Sequence, residues 1–214
     1  METIAVPYFH KHPLLLVPAG LVAGAFLGGL ARVWMRWIST DLEFSWSGTL
    51  FIIGAFAIFV TAQSIVLVLR ERIHGEKATT IVRCLGALFS LQIFFGGAGA
   101  LAPTVFLGSA AIYRKELSRN TRLILLFLSL PGFASVAAEI ASNFGWTFAT
   151  FGRVLLLVVI YGLAMLATFP TVLAYADSNS EPKDMGRSRR IIFIVGLILI
   201  SLLFLLMTRG LPRN

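Results

Sequence analysis

The sequence FFGGAGALAP, at residues 94–103, interrupts the longest apolar stretch of this chain and thereby decides its fold. That stretch covers 79–117 and is about twice as long as the roughly 20 residues that cross a bilayer as a helix. Glycines clustered before a proline favour a turn followed by the start of a new helix. We therefore predict two crossings, at about 79–95 and 100–117. One long helix, or a re-entrant hairpin at the glycines, is the alternative.

Outward from this turn, five further apolar stretches are long enough to be membrane spans. They lie at about 14–31, 49–69, 123–141, 154–176 and 191–208. Pro131 lies near the middle of one of them and predicts a kink, because proline removes a helix hydrogen bond. The predicted fold is all-α, a polytopic transmembrane helical bundle that forms a single integral membrane domain over 1–214. It has seven spans, or six if the central stretch does not cross twice.

The amino-acid composition excludes a water-soluble fold. Hydrophobic residues make up 57% of the 214 residues and charged residues 13%, against roughly 45–50% and about 25% in soluble domains. The formal net charge of +8 does not indicate nucleic acid, since the basic residues lie in short segments between apolar spans. Lipid headgroups and membrane orientation explain such segments. We expect the lipid bilayer as a partner and no nucleic acid.

The basic residues also bear on the span count, because short cytoplasmic loops carry an excess of Lys and Arg. With seven spans and a cytoplasmic N-terminus, 13 of the 18 basic residues face inward: Lys11 and three clusters of four within 70–83, 114–122 and 183–190. With one long central helix only 8 do, and the bias disappears. All four tryptophans then lie near the outer boundary, where indole rings are enriched. We therefore predict a bacterial-type cytoplasmic membrane with the N-terminus in the cytoplasm.

The segment ARVWMRWISTDLEFSWSG, at 31–48, combines two arginines, two acids and three tryptophans. The two arginines lie one helical turn apart, and the acids that follow can pair with them. Arginines on the outer side run against the charge bias, which indicates binding of a phosphate, a carboxylate or the chain's own acids. A belt of snorkelling arginines and anchoring tryptophans is the alternative. The candidate ligand-binding residues here are Arg32, Arg36, Asp41, Glu43 and Trp46.

Glu139 lies in the last turn of the predicted 123–141 span, where acids are costly and usually paired. We predict a buried pair with Arg36 or Arg153, and the alternative is a carboxylate that reaches water. Asn143 and Arg153, in the adjoining loop, extend this polar cluster. Together with the 31–48 segment, these residues predict a polar pocket at the outer side.

Gly20, Gly24 and Gly28 repeat a small-xxx-small pattern that lets another helix approach closely. We predict helix packing inside the bundle, with docking of another membrane helix or self-association as the alternative. Gln63 and Gln92 lie deep within predicted spans, where their amides need hydrogen-bond partners on neighbouring helices.

No catalytic residue, metal site or cofactor is predicted. All four lysines lie outside the spans, which excludes a retinal Schiff base. The three histidines lie in predicted cytoplasmic segments, which removes a bis-histidine haem and a histidine-built zinc site in the membrane. A single cysteine, Cys84, excludes an internal disulfide.

Three functions remain for such a bundle. The first is a non-enzymatic protein that binds or transports a small anionic or lipidic molecule in the outer pocket. The alternative is an accessory or assembly subunit of a membrane complex that docks through the glycine face. The third, which has no recognisable nucleophile, is an intramembrane lipid-modifying enzyme with Asp41, Glu43 or Glu139 as general acid or base.

Overall fold

The structure is a computed structural model that describes residues 15–39, 45–73, 76–90, 93 and 101–172. Regular structure in these residues is helical, with no strand among them. The helices are α1 (Leu16–Ile38), α2 (Trp46–Arg72), α3 (Glu76–Ser90), α4 (Ala102–Tyr113), α5 (Arg119–Phe144), α6 (Phe148–Ala167) and α7 (Phe169–Val172).

Polar caps or a proline begin four of these helices. Ser45, Ser118 and Thr147 each accept, through the side-chain oxygen, a hydrogen bond of 3.2 Å from the backbone N–H three residues on. Each cap thereby satisfies one of the N–H groups that a helix start leaves without an intrahelical partner. Helix α4 has Pro103 in its first turn, where the missing N–H costs nothing. Pro131 lies inside α5 without ending it.

Four helices are long and apolar enough to cross a bilayer, namely α1, α2, α5 and α6. The predicted all-helical fold is confirmed, with four candidate membrane-spanning helices in the described part of the chain. Helices α3 and α4 fall on the predicted spans 79–95 and 100–117 and are described over 15 and 12 residues. The glycine-rich 94–100 and the predicted span 191–208 lie outside the described residues.

The predicted span 154–176 does not match its helix. Helix α6 begins at Phe148, directly after its Thr147 cap, and ends at Ala167. The helix therefore begins six residues before the predicted span. It includes Arg153, whose guanidinium stacks on the ring of Phe144, 3.9 Å from the centroid.

The chain reverses direction between α3 and α4. Val172 O accepts hydrogen bonds from Arg83 Nη2 of α3 and from Arg114 Nη1, just after α4, each over 3.3 Å. In one continuous helix these two arginines would be separated by about 46 Å along the axis. The single long helix is therefore excluded. Two crossings and a re-entrant hairpin both satisfy this geometry.

Because of this reversal, helix ends meet at two opposite ends of the bundle. Arg32 Nε donates to Thr49 Oγ1 over 3.0 Å, and Trp34 Nε1 donates to Arg153 O over 2.9 Å. These bonds join the end of α1 to the starts of α2 and α6. We call this the tryptophan end, since it holds Trp34, Trp37, Trp46 and Trp146. The opposite end, here the arginine end, holds Arg70, Arg83, Arg114 and Arg122.

The three glycines of α1 pack against α2. A Cβ atom on Gly24 would lie 2.5 Å from Phe56 O and 2.7 Å from Ala57 Cα, and one on Gly28 would lie 2.7 Å from Ile53 Cα. The face that sequence reasoning left open to self-association or to another membrane helix is thus covered by the chain's own second helix. An accessory subunit would need a different docking face.

The outside of the bundle is apolar. Phe26 and Phe127 are 73% and 72% exposed, and no more than a third of each spanning helix is buried inside the bundle. Exposed apolar surface of this extent is suited to hydrocarbon rather than to water.

Candidate ligand-binding cavity

A cavity of about 290 Å³ lies at the tryptophan end, between the last turns of α1 and α5, the start of α4, and α6. Its wall is mostly apolar, formed by the aliphatic side chains Met35, Ile38, Leu101, Val136 and Ile140. Two aromatic rings complete this part of the wall, those of Trp34 and Phe144. An apolar cavity with few polar groups is the usual form of a small-molecule site.

Three polar side chains face this cavity: those of Glu139, Asn143 and Tyr161. Glu139 and Asn143 lie four residues apart on α5 and therefore on one side of the helix. Both are exposed, whereas Tyr161 is only 5% exposed. Within the described part of the chain, no hydrogen bond is made by the Tyr161 hydroxyl. A buried hydroxyl normally has a partner, so this one is available to a ligand.

Arg153 lies behind the cavity wall rather than on it. Its Nε donates to Trp37 O over 3.0 Å, and its guanidinium lies over the rings of Phe144 at 3.9 Å and Trp37 at 5.7 Å. Its backbone oxygen accepts from Trp34. Arg153 thus holds the ends of α1, α5 and α6 together and orients two aromatic rings of the lining.

The structure brings together only part of the predicted site. Glu139 and Asn143 line the cavity, whereas Arg32, Arg36 and Trp46 do not. Arg32 bonds Thr49, and Arg36 is half-buried in the last turn of α1. Trp46 is exposed at the start of α2. Asp41 and Glu43 lie outside the described residues.

The predicted pair of Glu139 with Arg36 or Arg153 is absent from the described residues. Among the described residues, an ion pair joins Arg114 and Glu116 at the opposite end of the bundle. Glu139 is exposed, which agrees with the alternative that its carboxylate reaches water. The charged side chain on the cavity lining is the acid Glu139, and none of the arginines that the structure describes lines the cavity. This shifts the expected ligand from an anion to a cation.

Sequence reasoning missed the aromatic lining of Trp34, Phe144 and Tyr161. Each lies on an apolar helix, where an aromatic residue is expected whether it faces lipid, core or cavity. A weak signal existed for Tyr161, since its hydroxyl is a polar group deep in a predicted span. No such signal existed for Trp34 or Phe144.

A buried polar network links α2, α3 and α7 away from the cavity. Gln63 accepts from Thr171 Oγ1 over 2.7 Å and donates to Ser90 Oγ over 2.6 Å and to Gly86 O over 3.3 Å. These are the interhelical bonds that the sequence predicted for Gln63. Gln92 lies outside the described residues.

At the arginine end, three guanidiniums converge on the end of α7, an arrangement that sequence reasoning missed. Arg70, Arg83 and Arg114 donate to the backbone oxygens of Pro170, Thr171 and Val172. Arg114 also forms an ion pair with the adjacent Glu116 carboxylate. The sequence showed only basic residues near span ends, for which snorkelling is the usual outcome.

Comparison with known proteins adds no identity to this geometry, since no family model, curated protein or solved structure matches the chain.

Proposed function

We propose that this chain is a non-enzymatic integral membrane protein that binds or transports a small amphipathic cation through the cavity at the tryptophan end. The observation that carries the proposal is the lining itself. Glu139 contributes the charge, Tyr161 contributes a buried hydroxyl, and the rest of the wall is aromatic or aliphatic.

The aromatic rings of the cavity lining favour a cation, as the Glu139 carboxylate also does. A positively charged group attracts the negative face of an aromatic ring, most strongly when the site excludes water. The indole of Trp34 and the phenol of Tyr161 both border the cavity. An ammonium group bound between ring faces and the Glu139 carboxylate would be stabilised by both.

The cavity size limits the ligand. At about 290 Å³, it lies just below the roughly 300–1,000 Å³ found for small-molecule sites. A small organic ammonium fits, as does the headgroup of a lipid whose tail remains in the bilayer. An oxygen on the ligand would bond the Tyr161 hydroxyl.

In the membrane, we propose seven spans with the tryptophan end outside and the N-terminus in the cytoplasm of a bacterial-type cell. The basic clusters at 70–83 and 114–122 both lie at the arginine end, and short cytoplasmic loops are enriched in Lys and Arg. The cavity would then open to the outer side.

Choline, which carries a quaternary ammonium and a hydroxyl, is a suitable probe, with butyrate as an anion of similar size. Titration of the purified chain by calorimetry or by tryptophan fluorescence should show choline binding. Glu139→Gln should weaken it about tenfold, because a charge-assisted contact is lost. Tyr161→Phe should weaken it by about fivefold, the value of one neutral hydrogen bond.

Two control variants lie at the opposite end of the bundle. Tyr113→Phe removes a hydroxyl and Glu116→Gln removes a carboxylate, and neither residue lines the cavity, so choline affinity should be unchanged. Tighter binding of butyrate than of choline, or equal choline affinity in Glu139→Gln and wild type, would reject the proposed ligand class.

A further inference from the structure

We propose that the arginine end binds a phosphate group, carried by an anionic lipid or free in solution. This site is separate from the cavity and rests on different residues. Arg70 comes from α2, Arg83 from α3 and Arg114 from the turn after α4. Residues far apart in sequence are thus brought to one place, at the three consecutive backbone oxygens that end α7.

Membrane orientation alone does not require this arrangement. Basic residues that only set orientation remain in water, as do the exposed side chains of Arg72, Lys77, Lys115 and Arg119. Arg114, by contrast, is 2% exposed, and Arg70 and Arg83 are half-buried. Burial of guanidinium groups costs free energy, so the cluster indicates a role that exposed residues do not serve.

Arg83 retains donors that a phosphate can use. It directs Nε to Thr171 O over 2.8 Å and Nη2 to Val172 O over 3.3 Å. Those carbonyl oxygens satisfy two of its five N–H groups but carry no net charge. In the described part of the chain, the other three donors of Arg83 make no hydrogen bond. A planar guanidinium with spare donors matches the paired oxygens of a phosphate.

The charge at this end favours an anion. Eight Lys and Arg residues but only three Glu residues lie between 70 and 122. Arg83 lies within electrostatic reach of both Arg70 and Arg114, and the Glu116 carboxylate that pairs with Arg114 offsets only part of their charge. Like charges held this close repel each other, and an anion placed among them relieves the repulsion. In a membrane, helix ends lie at the level where lipid phosphates are found.

The test uses the full chain in nanodiscs and reads the midpoint of thermal unfolding, since a ligand that binds only the folded state raises it. One arm compares phosphatidylcholine discs with discs that also contain phosphatidylglycerol. The other adds inorganic phosphate to phosphatidylcholine discs, with sulfate-free buffer at constant ionic strength. A shift only with phosphatidylglycerol identifies a lipid phosphate, and a shift with inorganic phosphate identifies a site open to the free anion. Either result supports the site.

Substitutions distinguish a defined phosphate-binding site from general electrostatic attraction of anions to the arginine end. Arg83→Gln should remove most of the shift, whereas Arg119→Gln, which removes an exposed charge at the same end, should retain it. Arg83→Lys keeps the charge and serves where Arg83→Gln does not fold. It should lose about half of the shift, because an ammonium cannot bind two oxygens in parallel. No shift in the wild type, or equal losses in Arg83→Lys and Arg119→Gln, would overturn the proposal.

Discussion

At the scale of single residues, Gln63 shows how one polar side chain fixes the packing of three helices. Its amide is 2% exposed and binds groups on α3 and α7. In a bilayer there is no water to replace these partners. Such a residue sets which faces of α2, α3 and α7 meet, because only one arrangement satisfies its amide.

We predict that Gln63→Leu lowers the free energy of unfolding by about 1–2 kcal/mol, since Thr171 Oγ1 loses its acceptor. Unfolding in a mixed-micelle titration with a denaturing detergent measures this change. Thr171→Val tests the assignment, because the double variant should be less destabilised than the sum of the two single variants. Strict additivity of the two effects would show that the pair is not coupled.

At the scale of whole elements, the pairing of α1 with α2 depends on glycines. Gly20, Gly24 and Gly28 lie one turn apart, and all three are buried against α2. Close approach of two backbones gives dispersion contacts along much of both helices, which is the main source of helix association in lipid. The pairing thereby fixes α1, which contributes Trp34, Met35 and Ile38 to the cavity wall.

We predict that Gly24→Ala destabilises the bundle by about 1–3 kcal/mol, because the added Cβ overpacks the contact with the α2 backbone. Gly29→Ala is a matched control on the same helix, since a Cβ there meets nothing within 4 Å. It should be neutral or stabilise by up to about 1 kcal/mol through helix propensity. The same unfolding titration measures both. Equal effects of the two substitutions would contradict the proposed packing.

The sequence predicted those helices that are encoded by a long apolar stretch. The stretches around α1, α2, α5 and α6 are apolar over enough residues that only a span accommodates them. Helix α6 begins before the predicted span 154–176 and includes Arg153, whose guanidinium lies over the rings of Phe144 and Trp37. Which side of a helix faces a cavity was not predictable, because the helices are apolar on every side.

Of the residues that line the cavity, only Glu139 and Asn143 were predicted from the sequence. Glu139 was identified because an acid near the end of a span is costly, and Asn143 as part of the adjoining loop, although the structure places it in the last turn of α5. Arg32 lies on the segment that seemed richest in chemistry, yet it bonds Thr49 on α2 instead of facing the cavity. Rotation of α1 about its axis decides this, and that rotation is set by the glycine contacts with α2.

At the scale of the whole molecule, the reversal between α3 and α4 determines where the two proposed sites lie. It brings Arg83 and Arg114 to the same carbonyl oxygen and leaves Leu101, at the start of α4, on the cavity wall. Without it, the arginine end and the tryptophan end would not be distinct. Both proposed sites depend on that separation.

Cysteine accessibility tests this arrangement most directly, because Cys84→Ser alone gives a background without cysteine. In that background, Lys77→Cys, Lys115→Cys and Ser142→Cys place single thiols at the start of α3, after α4 and beside the cavity. A membrane-impermeant maleimide applied to intact cells should label only the Ser142→Cys variant, and the two lysine variants should react only after the membrane is opened. Labelling of the Lys77→Cys and Lys115→Cys variants from opposite sides of the membrane would contradict the reversal.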